Sequence, residues 1–367
     1  MSQPRREPKL LFESLPDDVV FDILTMLPVK SLIRFRCVSK FCNSTITSPI
    51  FITKHLNLNL NKAKSLPNHN SYLLYTSHAI TSDPDRELCA VVCNSDFTLS
   101  EISRFKIPFV YNMFGFCNGM FGFFKHIDYT IYLWNPTIKK SKILAAAGTT
   151  CSCFPTSFCS FTHGLAYDSQ NNDYKILRIV SSNEWIGSKI VQEVEAEVYT
   201  LSTDSWRRVV ISVGSLSGSI LRTQENPCVF VNGALHSIAY TLEKNFILCF
   251  DLNDERFREI MLPDNYLDGF SPIFYCSEQL VVFKGSLALV DFGRTRDEES
   301  YICRIWVMGE YGVVNSWTKK IVPLETKYAT GLVSLDPESL NEQNLGTENP
   351  AKANFLESLV LLDGVNV

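Results

Sequence analysis

The side chains in this sequence that could bind a metal are concentrated in one short stretch. Cys151, Cys153, Cys159 and His163 are ligand types that zinc prefers, but their spacing does not give the C-x2-4-C pair that a zinc knuckle favours. Other cysteines stand alone within apolar runs, which is typical of reduced, buried thiols. This second group comprises Cys228, Cys249, Cys276 and Cys303. We therefore expect no bound metal and no other cofactor.

Side chains with catalytic potential are also sparse. The six histidines show no paired spacing, and the sequence contains no GxSxG, phosphate-binding loop or HExxH motif. Several aspartates occupy turn positions, where a carboxylate commonly bonds its own backbone. These are Asp168, Asp173, Asp204, Asp251 and Asp254. We predict a protein without catalytic activity of its own, and an enzyme with a polar site in its β domain is the alternative.

Composition and charge narrow the class of partner. The chain has 367 residues, of which 46% are hydrophobic and 20% charged, and its net charge is −5. Nucleic-acid binders usually present a basic face, so we do not expect a nucleic-acid partner. The sequence has neither a secretory signal nor an apolar run long enough to span a membrane, so we expect no membrane association and a cytoplasmic or nuclear location, or both.

Residues 15–46, LPDDVVFDILTMLPVKSLIRFRCVSKFCNSTI, carry the signals of three short helices. Pro16 suits a helix start, and Asp17 and Asp18 place negative charge at the positive end of the helix dipole. Apolar residues then recur with helical spacing, from Val19 to Leu27. Pro28 ends the first helix and opens a second. We expect the third helix to span about residues 38–46.

These residues resemble the plant form of the F-box across the whole segment. The resemblance implies docking to a Skp-type adaptor and, through it, to the cullin and RING subunits of a ubiquitin ligase. Phe41 stands where the family usually has tryptophan, so an aromatic anchor is kept while the indole N–H is lost. The adaptor-binding residues or their immediate support would be Leu15, Pro16, Ile23, Leu24, Leu27, Pro28, Lys30, Leu32 and Phe41.

The rest of the chain reads as β structure. We divide the sequence into a disordered tail (1–10), the F-box (11–56), a polar linker (57–70) and an all-β domain (71–367). Three dipeptides between apolar runs predict tight hairpins. They are Asn118-Gly119, Asn232-Gly233 and Lys284-Gly285. The fold class is thus α+β multidomain.

A recurring unit of apolar strand, polar turn and aromatic residue favours a propeller of about six blades, with a β-sandwich as the alternative. Its aromatic residues are Trp134, Trp206, Phe257 and Trp317. Closure into a ring would remove the exposed edges that an all-β chain must otherwise protect.

The β region also resembles the F-box-associated, kelch-like interaction domain of plant F-box proteins, over about residues 109–362. The segments that carry the resemblance are NPTIKKSKIL, GLAYDSQNNDYKILRI, VYTLSTDSWRRV, VFVNGALHSIAY, ILCFDLNDERFREIMLP and IWVMGEYGVVNSWTKK. Relatives implied by it include S-locus receptors of pollen self-incompatibility and regulators of immune receptors. The family pattern is shortened after Trp317, so we expect the last blade to lack one or two strands.

Together these features predict the substrate-recognition subunit of an SCF-type ubiquitin ligase. The F-box would hold the adaptor, and the β domain would capture a protein substrate whose identity the sequence does not reveal. Two segments are candidate substrate-binding loops because propellers bind through loops. The first segment contains Trp185, and the second contains Arg294 and Arg296. The alternative is a protein-binding scaffold that acts outside a ligase.

Overall fold

A computed structural model describes most of the chain in sixteen segments. They are residues 15–65, 72–76, 87–93, 99–106, 112–125, 129–144, 158–186, 189–213, 219–268, 277–294, 301–324, 333–335, 342–344, 351–353, 359–360 and 365–366.

The helical domain begins as its proline and serine signals predict. Among the described residues it contains α1 (Asp17–Thr25), α2 (Val29–Phe35), α3 (Lys40–Thr47) and α4 (Pro49–Ser65). Pro16 and Pro28 precede α1 and α2 with φ of −58° and −61°. At the start of α3, the Ser39 hydroxyl accepts a hydrogen bond of 3.0 Å from the Cys42 amide. The three predicted helices are confirmed.

The predicted linker over residues 57–70 was wrong as far as Ser65, because a fourth helix, α4, occupies these residues. The chain is helical as far as Ser65, and residues 66–70 lie outside the described residues. The alternation of asparagine with leucine after Asn57 lowers helix propensity. Tertiary packing outweighs it, because Phe51 is buried in the core of the helical domain and Leu56 in the core of the β domain.

The β domain consists of short antiparallel strands that pair with their neighbours in sequence. The first twelve are β1 (Tyr72–Thr76), β2 (Glu87–Cys93), β3 (Leu99–Lys106), β4 (Asn112–Cys117), β5 (Met120–Lys125), β6 (Thr130–Asn135), β7 (Lys140–Ile143), β8 (Phe158–Asp168), β9 (Asp173–Ile186), β10 (Lys189–Thr200), β11 (Ser205–Val209) and β12 (Arg222–Thr223). The others are β13 (Val229–Val231), β14 (Ala234–Tyr240), β15 (Phe246–Asp251), β16 (Phe257–Met261), β17 (Ser277–Phe283), β18 (Ser286–Arg294), β19 (Tyr301–Met308), β20 (Trp317–Leu324), β21 (Val333–Leu335), β22 (Glu342–Asn344), β23 (Ala351–Ala353) and β24 (Val365–Asn366).

These strands form sheets that follow one another around a ring. The second to fifth sheets are built on β4–β7, β8–β11, β12–β16 and β17–β20. Their innermost strands touch in succession, since β4 contacts β8, β8 contacts β12 and β13, and β13 contacts β17. Apolar clusters fill the space between neighbouring sheets, for example from Ile179 of β9 to Phe246 of β15. This radial packing is that of a β-propeller rather than a sandwich.

The first and last sheets involve the C-terminal part of the chain. β23 adds to β1 at the edge of the first sheet, and β24 adds to β7 at the edge of the second. Within the described residues, the sixth sheet contains β21 and β22. The expected shortening of the last blade stays a prediction, because the residues between these short strands lie outside the described part of the chain.

All three hairpins are confirmed by backbone angles that glycine and asparagine favour. Asn118-Gly119 has φ of 47° and 81°, Asn232-Gly233 has 50° and 77°, and Lys284-Gly285 has 50° and 82°. Positive φ at both central residues is the requirement of a type I′ turn. The strands on either side pair directly across each turn.

The recurring aromatic residues occupy equivalent places in three blades and a different place in the fourth. Trp206, Phe257 and Trp317 lie at or next to the start of the outer strands β11, β16 and β20, whereas Trp134 lies within β6. The Trp317 indole donates a hydrogen bond of 3.1 Å to the Met261 carbonyl of the preceding blade. The aromatic at the outer strand therefore links neighbouring blades.

Candidate functional site

The exposed face of α1 is apolar. Val20 and Leu24 point into the core of the helical domain, whereas Val19 and Ile23 are 40% and 42% exposed. Met26, at the end of the same helix, is 64% exposed. These three lie at i, i+4 and i+7, so they share one side of the helix. With Leu15 they form what we call the apolar stripe.

The structure divides the predicted adaptor-binding residues into exposed and buried groups. Leu24 and Leu32 are fully buried, so they support the surface without reaching it, and Leu27 is half-buried. The exposed members are Leu15, Pro16, Ile23, Pro28, Lys30 and Phe41.

Val19, Met26 and Val38 are exposed apolar residues that are not among the predicted adaptor-binding residues. Val38 is 49% exposed in the turn before α3. Helical spacing from Ile23 could have identified Val19 and Met26, but no local signal marks Val38.

Phe41 lies apart from the apolar stripe, on the opposite flank of α1. It lines a cavity of about 490 Å³ together with Asp17, Asp18 and Asp22. Lys54 of α4 also lines this cavity and forms an ion pair of 2.8 Å with Asp22. The predicted aromatic anchor is thus accessible, and acidic side chains border it.

Helix α4 contacts the residues that follow α1. The His55 ring is buried, and its Nε2 donates a hydrogen bond of 3.0 Å to the Leu27 carbonyl. The Asn59 side-chain amide lies 3.4 Å from the other ring nitrogen. The histidine therefore satisfies a backbone carbonyl in the connection between α1 and α2, which is a structural role.

The helical domain packs against one end of the propeller. The Asn57 side-chain amide donates a hydrogen bond of 3.0 Å to the Asn172 side chain, in the turn between β8 and β9. A cleft of about 760 Å³ beside this contact is bordered by Thr53 of α4 and by Ser202 of the β10–β11 turn. The end of the sheets that carries these turns is called the near face.

Contacts between blades show that the near face continues around the ring. Lys175, close to the β8–β9 turn, donates a hydrogen bond of 2.9 Å to the Leu252 carbonyl in the β15–β16 turn of the next blade. In the blade after that, Tyr311 follows β19 and its hydroxyl lies 2.7 Å from His236 Nε2, close to the β13–β14 turn. The opposite ends of the strands form the far face.

Both candidate substrate-binding segments begin at the far face. The first segment was predicted as a loop over residues 183–187, but residues 183–186 belong to β9, and Ile186 pairs with Lys189 at the end of the β9–β10 hairpin. Trp185 is thus a strand residue. Arg294 is the last residue of β18 and pairs with Tyr301, while Arg296 lies outside the described residues.

Four of the five aspartates predicted to stabilise turns accept a hydrogen bond from a nearby backbone amide, whereas Asp204 accepts one from the Tyr199 hydroxyl and pairs with Lys142. Asp168 accepts a hydrogen bond of 3.0 Å from the Gln170 amide, and Asp251 accepts one of 2.9 Å from the Asn253 amide. Burial raises the pKa of Asp168, but hydrogen bonds from Lys175 and Asn171 outweigh it, so the pKa is lowered. These carboxylates are occupied by structural contacts.

Two further kinds of side chain that could take part in chemistry, a histidine and several cysteines, have pKa values shifted by burial. Burial lowers the pKa of His236 to about 4, so this ring is neutral at pH 7. Cys228 and Cys249 carry thiols whose pKa burial raises, as expected for inert cysteines. Cys159, which the sequence placed among the possible zinc ligands, is disulfide-bonded. Among the described residues, no group of three potential ligands could hold a metal ion.

Comparison with known proteins gives the same two-part division. Residues 12–54 match the F-box domain family, and residues 76–341 match the F-box associated beta propeller domain family. None of the helices in the described part of the chain has the length and apolar character needed to span a bilayer.

Relatives with the same organisation occur in Arabidopsis thaliana. The chain is 27% identical over 314 residues to the F-box/kelch-repeat protein At3g23880, covering 83% of this chain and 78% of the relative. It is also 27% identical over 320 residues to the F-box protein CPR1, covering 83% and 72%. TolB from Acinetobacter baumannii shares 10% identity at a TM-score of 0.36, covering 75% of this chain and 59% of TolB. The chain belongs to the F-box proteins that carry an F-box-associated β-propeller domain.

Proposed function

We propose that this protein is the substrate receptor of an SCF-type ubiquitin ligase. The apolar stripe and Phe41 bind a Skp-type adaptor, which connects the chain to cullin and RING subunits. The propeller binds a protein substrate, and the other subunits perform the ubiquitin transfer. The observation that carries the proposal is an F-box whose α1 exposes Val19, Ile23 and Met26 along one side.

The exposed apolar residues account for part of the adaptor affinity. Burying the exposed fractions of Leu15, Val19, Ile23, Met26, Val38 and Phe41 would contribute about 4–8 kcal/mol, at roughly 1.5–3 kcal/mol for a whole side chain. Association itself costs about 4–15 kcal/mol. Stable docking therefore needs further contacts, which polar groups around Phe41 and Lys30 can supply.

The position of the helical domain favours the far face of the propeller for substrate binding. On the near face, α4 occupies the surface around Asn172, next to the cleft bordered by Ser202. The far face carries the ends of β9 and β18, where Trp185 and Arg294 lie. A substrate bound there would not compete with the F-box.

A cell-based experiment tests the receptor role against the scaffold alternative. The full chain, its Ile23→Asp variant and its Ile321→Asp variant are expressed in plant cells, and the ubiquitination of co-purifying proteins is measured. Ile321 is a matched control because it is an exposed isoleucine on the outer strand β20.

The proposal expects at least one partner that binds all three forms and is ubiquitinated with wild type and Ile321→Asp but not with Ile23→Asp. Partners that bind all three forms and carry equal ubiquitination would contradict the receptor role and favour a scaffold.

A further inference from the structure

The core of the F-box contains a side chain from the far end of the sequence. Leu359 is 1% exposed and packs in one cluster with Val20, Leu24 and Leu32. The cluster also contains Phe51 of α4. Residue 359 lies outside both family matches, which cover residues 12–54 and 76–341. The F-box of this protein is therefore not closed by its own helices alone.

Val360, the residue after Leu359, contacts the propeller. The Val360 carbonyl accepts a hydrogen bond of 2.9 Å from the side-chain amide of Asn135, which is fully buried at the end of β6. The Val360 side chain packs against the propeller cluster that contains Leu133 and Tyr174. Leu359 and Val360 thus face two different cores.

Strand pairing anchors the chain on both sides of this point. Before it, β23 pairs with β1 in the first blade, with Leu73 opposite Lys352. After it, β24 pairs with β7 in the second blade, with Val365 opposite Ser141. Leu359 and Val360 thus lie between two strands, β23 and β24, that are both paired to the propeller.

Two more side chains connect the helical domain and the propeller. Leu56 of α4 is buried in the same propeller cluster that Val360 touches, and Ile138 of the β6–β7 turn packs against the F-box core. Each domain therefore supplies apolar side chains to the core of the other. Such exchange couples the stability of the two domains.

We propose that Leu359 and Val360, together with β24, form a C-terminal clamp that completes the F-box core, so that adaptor docking depends on it. Leu359 acts as a positioning residue, because it shares a buried cluster with Leu24 and Val20, on the inner side of the helix that carries the apolar stripe. The docking part of this inference rests on the proposed function, whereas the stability part does not.

The test uses the full chain with Leu359→Ala, the conservative variant Leu359→Met and the control Ile305→Ala. Ile305 is an equally buried aliphatic residue, but it lies in β19 of the fifth blade. Amide hydrogen exchange is measured in α1–α3 and in β17–β20, together with the affinity for a purified Skp-type adaptor.

We expect Leu359→Ala to lower amide protection in α1–α3 by at least about 30-fold and to leave β17–β20 unchanged. Adaptor affinity of Leu359→Ala should fall about tenfold. Leu359→Met should keep both the amide protection and the adaptor affinity of the wild type. Ile305→Ala should have the opposite pattern, with loss of protection in the fifth blade.

Unchanged protection of α1–α3 in Leu359→Ala would overturn the clamp. Reduced protection with unchanged affinity would overturn its role in docking. If the wild type does not bind the adaptor, the proposed function fails, and hydrogen exchange alone still decides whether Leu359 completes the F-box core.

Discussion

Replacing Lys175 with methionine removes a buried cation that joins two blades. Its Nζ lies 2.8 Å from Asp168 in its own blade and 2.9 Å from Glu255 in the next. It also donates to the Leu252 carbonyl of the next blade, so two of the three bonds of this ammonium group cross the blade boundary. Asp168 is fully buried, and Lys175 nearly so. The Lys175→Met variant therefore leaves a buried carboxylate without its cation.

The expected cost is large because the charge that remains cannot reach water. Removing one partner of a buried ion pair typically costs about 3–5 kcal/mol. Lys244→Met is the matched control, since Lys244 pairs with Asp264 at 2.7 Å and both side chains are at least half exposed. An exposed pair contributes about 0.2–1 kcal/mol, so the two lysines should differ severalfold in their effect on unfolding free energy.

The difference should also depend on pH. The folded-state pKa of Asp168 is lowered, so its ion pair contributes stability above the unfolded-state pKa and loses it as pH falls through the folded-state pKa. Below that point Asp168 is protonated in both proteins. The gap in unfolding free energy between wild type and Lys175→Met should therefore narrow in acid.

Urea denaturation at a series of pH values measures the difference in unfolding free energy between wild type and Lys175→Met. Hydrogen exchange in β9 and β15 shows whether the loss of stability lies at the boundary between the two blades. An effect of Lys175→Met no larger than that of Lys244→Met, or one that is constant from pH 7 to pH 3, would refute the reasoning.

Three further substitutions test other parts of the propeller. Gly164→Ala places a Cβ 2.7 Å from the Cys228 Cβ, so thermal unfolding should show a loss of about 1–3 kcal/mol. Gly285→Ala meets no atom within 4 Å but has φ of 82°, so urea denaturation should show a loss of about 1–2 kcal/mol from backbone strain alone. Tyr311→Phe removes the hydroxyl that bonds buried His236, and the same assay should show a cost of about 1–3 kcal/mol.

Local signals in the sequence were sufficient for the turns and for three helices. Asn118-Gly119 and Asn232-Gly233 form tight turns because these residues tolerate positive φ without help from distant contacts. Pro16 and Pro28 start helices for a similarly local reason. Such features depend on residues that are adjacent in the chain.

Features that depend on distant packing were not predictable. Helix α4 continues past Asn57, whose side chain bonds Asn172 of the propeller, and the local asparagine-rich sequence does not show this contact. The helical pattern of α1 could not separate buried Val20 from exposed Val19, because the covering side chains include Phe51 and Leu359. Leu359 itself carries no local signal of its place in the F-box.

The most direct test of the account is the affinity of the purified full chain for a Skp-type adaptor, measured by calorimetry for wild type, Ile23→Asp and Ile321→Asp. A charge buried at the centre of the apolar stripe should weaken binding by at least about 30-fold. Ile321→Asp, on the outer strand β20, should bind within about twofold of wild type. Equal affinities of all three proteins, or no binding by a folded wild type, would contradict the assignment of the apolar stripe as the adaptor-docking surface.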